Sequence, residues 1–161
     1  MTTHNVPAML EDMAQQLKQR CAKQVPLMIG IHTGGVWVAE QLHKMLELPQ
    51  PLGSLNISFY RDDFTQIGMH PQVNPSHIPY SVENQSIILV DDVLYTGRTI
   101  RAAINEIFDY GRPAAIHLAV LVDRGGRELP IQADVVGKQM QPGPGEQIKL
   151  SGPAPLELST V

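Results

Sequence analysis

Apolar side chains at Leu10, Met13, Ala14, Leu17 and Cys21, spaced by three or four, predict one buried stripe on a helix over 7–21. Pro26 then opens a short apolar strand, Leu27-Met28-Ile29-Gly30-Ile31. Val38, Ala39, Leu42 and Leu46 mark a second helix that ends near Pro49 and Pro51. Leu55, Ile57 and Phe59 alternate with Asn56, Ser58 and Tyr60, the period of a half-buried strand. From Arg61 to Tyr80 no period survives, and Pro71, Pro75 and Pro79 exclude a helix or a central strand. Such a span reads as a functional loop or lid, or in part as a projecting two-stranded arm. Residues 86–90 form a continuous apolar run, the pattern of a strand covered on both faces. Ile100, Ala103, Ile104, Ile107 and Phe108 predict an amphipathic helix with Gly111 as its C-cap. Two more core strands are expected at 115–122 and 134–137, and a peripheral one at 147–150 after the turn-rich 141–145.

Strands alternating with helices predict a three-layer α/β domain with a mostly parallel sheet. The 161 residues are expected to form a single domain, 1–161, with a flexible loop at about 61–80 and a turn-rich C-terminal segment 139–161. Apolar residues at 43% and charged residues at 17% exclude wholesale disorder. A net charge of −4, from 12 basic and 16 acidic residues, leaves no chain-wide basic surface for nucleic acid. The single Cys21 excludes an internal disulfide and a cysteine-rich zinc site, and its place on the helical stripe makes it a small buried hydrophobe. The six histidines show no metal-ligand spacing. No apolar run approaches the roughly 18 residues of a membrane span, and Met-Thr-Thr-His-Asn lacks the character of a secretory leader. A cytoplasmic protein is expected.

In parallel sheets, ligands bind outside the carboxyl ends of the strands. Three segments end strands there: 32–35, 91–99 and 123–127. The richest is 87–99, Ile-Ile-Leu-Val-Asp-Asp-Val-Leu-Tyr-Thr-Gly-Arg-Thr. A buried strand delivers two adjacent acids, and a hydroxyl-bearing loop then enters a helix. The backbone N–H groups of Thr96 to Thr99, the hydroxyls of Thr96 and Thr99, and the helix N-terminus make an anion cradle. Acids beside such a cradle would repel a bare phosphate. They fit if they hold sugar hydroxyls, or a metal-bound ligand, beside that phosphate, as in a ribose 5-phosphate. Either half alone is commonplace, a turn or a helix cap; their combination carries the reading. A Walker loop is excluded, because the chain has no Gly-x-x-x-x-Gly-Lys.

Four apolar residues, two acids and Val-x-x-Thr-Gly-x-Thr resemble the phosphoribosyl-pyrophosphate (PRPP) motif of type I phosphoribosyltransferases. Tyr60-Arg61-Asp62-Asp63, Gly111-Arg112-Pro113, Leu121-Val122-Asp123-Arg124-Gly125 and Arg127-Glu128-Leu129-Pro130-Ile131 look like the PyrR family, over about 7–138. That family is described as pyrimidine operon attenuation protein and uracil phosphoribosyltransferase. The resemblance implies a three-layer phosphoribosyltransferase-like fold with a small hood, and transfer of ribose 5-phosphate from PRPP to uracil, giving UMP and pyrophosphate with Mg²⁺. It implies that Asp91 and Asp92 are catalytic, binding the ribose hydroxyls directly or through a Mg²⁺ held mainly by substrate and water. Tyr95, Thr96, Gly97, Arg98 and Thr99 would hold the 5-phosphate. Thr33, Gly34 and Gly35 would form the pyrophosphate loop, often built with a non-proline cis peptide, and Arg61 would close over it. Asp123, Arg124, Val135 and Val136 would border the base.

At the expected site the chain departs from the PyrR pattern at three places. Gly34 stands where PyrR proteins usually carry Arg, Val135 where a Tyr is common, and Gly126 where a His is usual. Tyr95 stands where purine-salvage relatives carry an Asp, and a phenol is a poor base near neutral pH. PyrR proteins also bind the leader of pyrimidine-gene messenger RNA, promoted by UMP. Here Met9-Leu10-Glu11-Asp12 is acidic where the family is basic, and the C-terminal lysines reduce to Lys138 and Lys149, so RNA binding is expected to be weakened. The enzyme is therefore the favoured reading. The RNA regulator, a PRPP- or nucleotide-sensing domain with little catalysis, and transfer to orotate or a purine are the alternatives. The family's habit of forming dimers implies a homodimer or higher homo-oligomer, through an apolar patch near 7–21 or 36–46.

Overall fold

The long apolar runs become the middle of one parallel sheet. The computed structural model describes residues 2–57 and 75–161. Within them β1 (Thr2–His4) precedes α1 (Val6–Arg20), β2 (Leu27–Ile31), α2 (Gly34–Leu46) and β3 (Gly53–Leu55). Then come β4 (Ser86–Leu94), α3 (Arg98–Tyr110), β5 (Ala115–Asp123), β6 (Val135–Gln139), β7 (Ile148–Ser151) and β8 (Glu157–Thr160). The central sheet has the order β3-β2-β4-β5-β6, every pairing parallel. Both of its faces are covered, which is why β2 and the first half of β4 are buried at every step. On one face Met13 and Leu17 of α1 and Val38 and Leu42 of α2 pack against Met28, Ile88 and Val90. On the other, Ile100, Ala103 and Ile107 of α3 pack against Ile29, Ile87, Leu89 and Val120. This is the expected three-layer arrangement.

Local chemistry sets the helix ends. The Asn5 side chain accepts the Ala8 N–H at 3.1 Å, with Pro7 in the first turn of α1. Gly111 stops α3 at φ 151°. The helices α2 and α3 both begin at the carboxyl ends of the strands that precede them, so their N-termini open on the same edge of the sheet.

Three stretches differ from expectation. The alternating strand expected from Leu55 to Tyr60 is instead the short β3, ending at Leu55, with Asn56 and Ile57 both buried after it and residues 58–60 outside the described residues. Residues 75–80 are not structureless: His77 and Ser54 exchange backbone hydrogen bonds of 2.8 and 2.7 Å. The Tyr80 hydroxyl donates to the Met28 carbonyl at 2.8 Å, and Ile78 packs on the core. A single bridge at the sheet edge needs no unbroken ladder, so the flanking prolines tolerate it. The rest of the expected loop, with Arg61, lies outside the described residues. The C-terminal segment also holds more than turns. β7 and β8 form an antiparallel hairpin, and β1 adds to β8 with Thr2 opposite Thr160. Leu158, Ile148 and Leu150 of this small sheet, with Leu156 from the connection between β7 and β8, pack onto the α1 side of the core. It is the smaller unit outside the central sheet, as the expected hood would be. No described helix is long and apolar enough to cross a membrane.

Candidate active site

β4 carries its apolar run to Val90 and then presents Asp91 and Asp92. Asp91 is only 6% exposed, and its Oδ1 accepts the Asp92 N–H at 2.8 Å. The Asp92 Oδ1 in turn accepts the Val93 N–H at 2.8 Å. Both acids meet the head of α2, whose positive end favours negative charge. A Cβ at Gly35 would stand 2.7 Å from the Val90 carbonyl oxygen and 3.1 Å from Asp91 Oδ1. A Cβ at Gly34 would fall onto the Asp92 carboxylate itself. The Thr-Gly-Gly loop is therefore glycine-rich because strand β4 and its acids fill the space where side chains would go. At position 34, read from sequence as a lost cation, the volume is already taken by an acid.

The loop before α2 carries a cis peptide at His32–Thr33, and Thr33 is exposed with no side-chain cap hydrogen bond. Burial pushes the His32 imidazole below its ordinary pKa, against the opposing pull of Glu40.

Asp91, Val93, Leu94, Tyr95, Thr96, Gly97, Thr99 and Ile100 line a cavity of about 110 Å³. Gly97 holds φ 95°, which suits glycine, and a Cβ there would press to 3.1 Å from Ile131. Thr96 Oγ1 accepts the Arg98 N–H at 3.2 Å, ordering the turn into α3. The Arg98 guanidinium does not join this cradle. Its Nε donates to Glu128 at 2.8 Å, in an exposed pair of little energetic weight. Only the backbone of Arg98 lies with the loop.

On the other flank, β5 ends at Asp123. Its Oδ1 accepts the Gly125 N–H at 3.0 Å and its Oδ2 accepts from Arg127 Nη2 at 2.7 Å. Burial raises the Asp123 pKa, but the bonds from Arg127 and Gly125, with the Arg127 charge, outweigh it and hold the carboxyl below its ordinary value. The Arg124 guanidinium lies 4.0 Å from the centre of the Tyr95 ring, a cation–π stack. Gly126, at φ 78°, packs edge-on to that ring, where a Cβ would come within 2.5 Å of it. The departure at Gly126 is thus also a matter of volume, since Tyr95 stands where a side chain at 126 would begin.

Val135 and Val136 part company. Val136 packs toward the α3 side, in the same cluster as Ile131. Val135 is 1% exposed inside the core facing α1 and α2, so the structure does not bring it to the cavity. Register decides this: Val135 pairs with Ala119, whose side chain also faces α1 and α2, and alternation sends the next residue the other way. Arg127 is the residue that sequence reasoning passed over. It appeared only as part of a family run, and its one local signal was an acid four positions earlier.

Among the described residues no cluster of three or more acidic, histidine or cysteine groups could cage a metal. The Asp91–Asp92 pair supplies hard oxygen ligands, which fits a Mg²⁺ that takes most of its shell from water and phosphate.

Comparison with known proteins agrees with this geometry. The phosphoribosyl transferase domain family matches residues 2–149. The chain is 63% identical to the bifunctional protein PyrR of Nitrosococcus oceani, covering 96% of this chain and 90% of that one. It is 55% identical to the bifunctional protein PyrR of Pseudomonas aeruginosa, covering 95% and 89%. A hypoxanthine-guanine phosphoribosyltransferase from Bacillus anthracis superposes with a TM-score of 0.74 at 18% identity, over 99% of this chain and 96% of that chain, a likeness of fold. Sequence, sheet order and the cradle after β4 converge, and the chain belongs to the phosphoribosyl transferase domain family, among its PyrR members.

Proposed function

We propose that this protein transfers the ribose 5-phosphate unit of PRPP to uracil, giving UMP and pyrophosphate. One observation carries the reading: a buried acid and a hydroxyl- and amide-rich loop line the same cavity at the carboxyl end of β4. The backbone donors and hydroxyls of Thr96 to Thr99 hold the 5-phosphate, with the Tyr95 backbone leading into them. Asp91 and Asp92 hold the ribose hydroxyls. As pyrophosphate departs, the anomeric carbon becomes electron-poor, and the two carboxylates stabilise that charge. The amides of Thr33, Gly34 and Gly35 receive the pyrophosphate, and Arg61 supplies a cation to it. Asp123, Arg124 and Val136 border the base, where a carboxylate complements the imide N–H of uracil and a guanidinium its carbonyls. Mg²⁺, held by Asp91 and Asp92 with the substrate, neutralises pyrophosphate charge when bound. The reaction belongs to the cytoplasm, and the working form is a homodimer or higher homo-oligomer.

The test is UMP formation from uracil and PRPP with Mg²⁺, run beside orotate, hypoxanthine and guanine. Uracil is expected to be preferred, and Asp92→Asn to lower turnover strongly. PRPP binding without turnover of any base would instead support a sensor.

A second reading, UMP-promoted binding to the leader of pyrimidine-gene messenger RNA, draws on the word "bifunctional" in the names of the relatives. In this chain Glu11 and Asp12 are exposed on α1 while Met9 and Leu10 are buried. Acids on the first half of that outer face oppose RNA phosphates, with Lys18 and Arg20 only in the last turn, so binding is expected to be weak and lost by moderate salt.

A further inference from the structure

The segment after β5 is bonded step by step to the phosphate loop. Arg124 N–H donates to the Leu94 carbonyl at 3.1 Å, and the Glu128 and Leu129 N–H groups donate to the Thr96 carbonyl at 2.9 and 3.2 Å. Between these steps lies Arg127, all three of whose guanidinium nitrogens are engaged. Nη1 donates to the Tyr95 carbonyl at 2.9 Å, Nη2 to the Asp123 carboxylate at 2.7 Å, and Nε to the Ile131 carbonyl at 2.7 Å. The Arg127 and Asp123 side chains are 24% and 14% exposed, so the pair is largely sheltered from solvent. A guanidinium is a rigid planar fork. Its three acceptors here come from the entry of the phosphate loop, from the end of β5, and from the strand-to-strand connection that packs over Gly97. None of the three can shift alone while the fork is in place.

We propose that Arg127 is a positioning residue that locks the phosphate site to the base site, fixing the Tyr95 carbonyl and the Asp123 carboxylate as one unit. The proposal rests on the phosphoribosyl-transfer reading above. Without the fork, Asp123 keeps only the Gly125 N–H and turns more freely. The phosphate loop, by contrast, still has the Glu128 and Leu129 donors on Thr96. Loss of Arg127 therefore falls on the base side more than on the phosphate side. A lysine keeps the charge near Asp123 but has one nitrogen, which cannot reproduce three divergent bonds.

The experiment compares the wild-type protein with Arg127→Gln, Arg127→Lys and Asp123→Asn. Calorimetry measures ribose 5-phosphate, which fills the phosphate side alone, and UMP, which spans both sides. Steady-state kinetics with uracil and PRPP varied separately gives the second readout, and thermal melts verify folding at the assay temperature. In Arg127→Gln, UMP affinity and kcat/KM for uracil are expected to fall about tenfold or more, the scale of a lost charge-assisted bond. Ribose 5-phosphate affinity and the KM for PRPP are expected to change less than about threefold. Arg127→Lys is expected to recover little of the loss. In UMP affinity, the double variant Arg127→Gln with Asp123→Asn is expected to be scarcely worse than Asp123→Asn alone, since the base side feels Arg127 through its bond to Asp123. Equal weakening of both ligands, or full recovery by lysine, overturns the positioning role while leaving the enzyme reading intact. Wild-type protein that binds neither ligand and forms no UMP overturns both.

Discussion

Gly34→Ala separates stability from activity, because the added methyl suits the backbone there but meets the Asp92 side chain. Gly34 opens α2 and is not at positive φ, so its backbone accepts alanine. In a helix that exchange is worth about 0.5–1 kcal/mol in favour of alanine. The methyl, however, falls on the Asp92 carboxylate and lies 3.1 Å from the Asp92 Cβ, so that side chain has to rotate. Holding a side chain off its preferred rotamer costs about 0.5–1.5 kcal/mol. The two contributions offset one another, and the melting temperature is expected to stay within about 4 °C of wild type. Activity has no such offset. On the proposed role of Asp92, a carboxylate swung away from the ribose loses a charge-assisted hydrogen bond of about 1.5–3 kcal/mol, which is roughly ten- to a hundredfold in kcat/KM for PRPP. Initial rates of UMP formation across PRPP concentrations, with a thermal melt on the same preparation, measure both quantities. A folded Gly34→Ala protein with wild-type kcat/KM would refute the claim that Asp92 works from the position it holds against α2. A fall in melting temperature well beyond 4 °C would show that the methyl damages packing rather than the acid.

Gly97→Ala is expected to lower the melting temperature by about 2–8 °C, since a left-handed alanine costs roughly 1–2 kcal/mol in a domain of this size, and an unchanged melt contradicts it. The Asp123 carboxyl, held below its ordinary value of 3.8 against the raising effect of burial by Arg127 and Gly125, stabilises the fold above that pH and loses its contribution as pH falls through its folded value. The urea stability gap between wild type and Asp123→Asn should then be steady from about pH 5 to 8 and shrink below about pH 4; a gap that widens in acid would be inconsistent. Burial pushes the Tyr80 phenol up to about 12, so the fold prefers it neutral and loses stability as pH rises from 10, where the unfolded chain begins to ionise it. Tyr80→Phe, lacking the bond to the Met28 carbonyl, should be about 1 kcal/mol less stable at neutral pH yet lose less on going alkaline, and equal alkaline losses in both proteins would count against this account.

The parts of the fold that were legible in sequence are those whose burial is decided locally. Residues 87–90 and 27–31 are apolar because both faces of the central strands are covered, and α3 shows its three-and-four spacing because only one of its faces is. The terminal sheet was half seen for the opposite reason. β7 was expected, but β1 and β8 are three and four residues long, and their partners lie at opposite ends of the chain. Only Leu158 in β8 is fully buried, so no local period marks the strand. Residues 75–80 were hidden differently. Their prolines do break a regular element, but attachment through His77 and Tyr80 depends on what lies beside them at Ser54 and Met28.

Residue types at the site were readable where one strand, loop and helix contribute them in sequence, as between Ile87 and Thr99. What other segments bring to those residues was not. Position 34 taken alone is an absent cation, and position 126 an absent imidazole. In the folded chain each is the hollow that a side chain from the phosphate segment occupies, Asp92 in one case and the Tyr95 ring in the other. A single substitution toward the family residue at either position is thus a change at two positions, because the neighbour has to move first. Gly34→Arg is accordingly expected to bring its charge only by displacing Asp92, the acid proposed to hold the ribose, so a gain in pyrophosphate affinity would come with a loss at the sugar. The same dependence on neighbours explains Val135. A one-residue step in the pairing of β6 with β5 would exchange the surroundings of Val135 and Val136, and nothing within the segment itself sets that step.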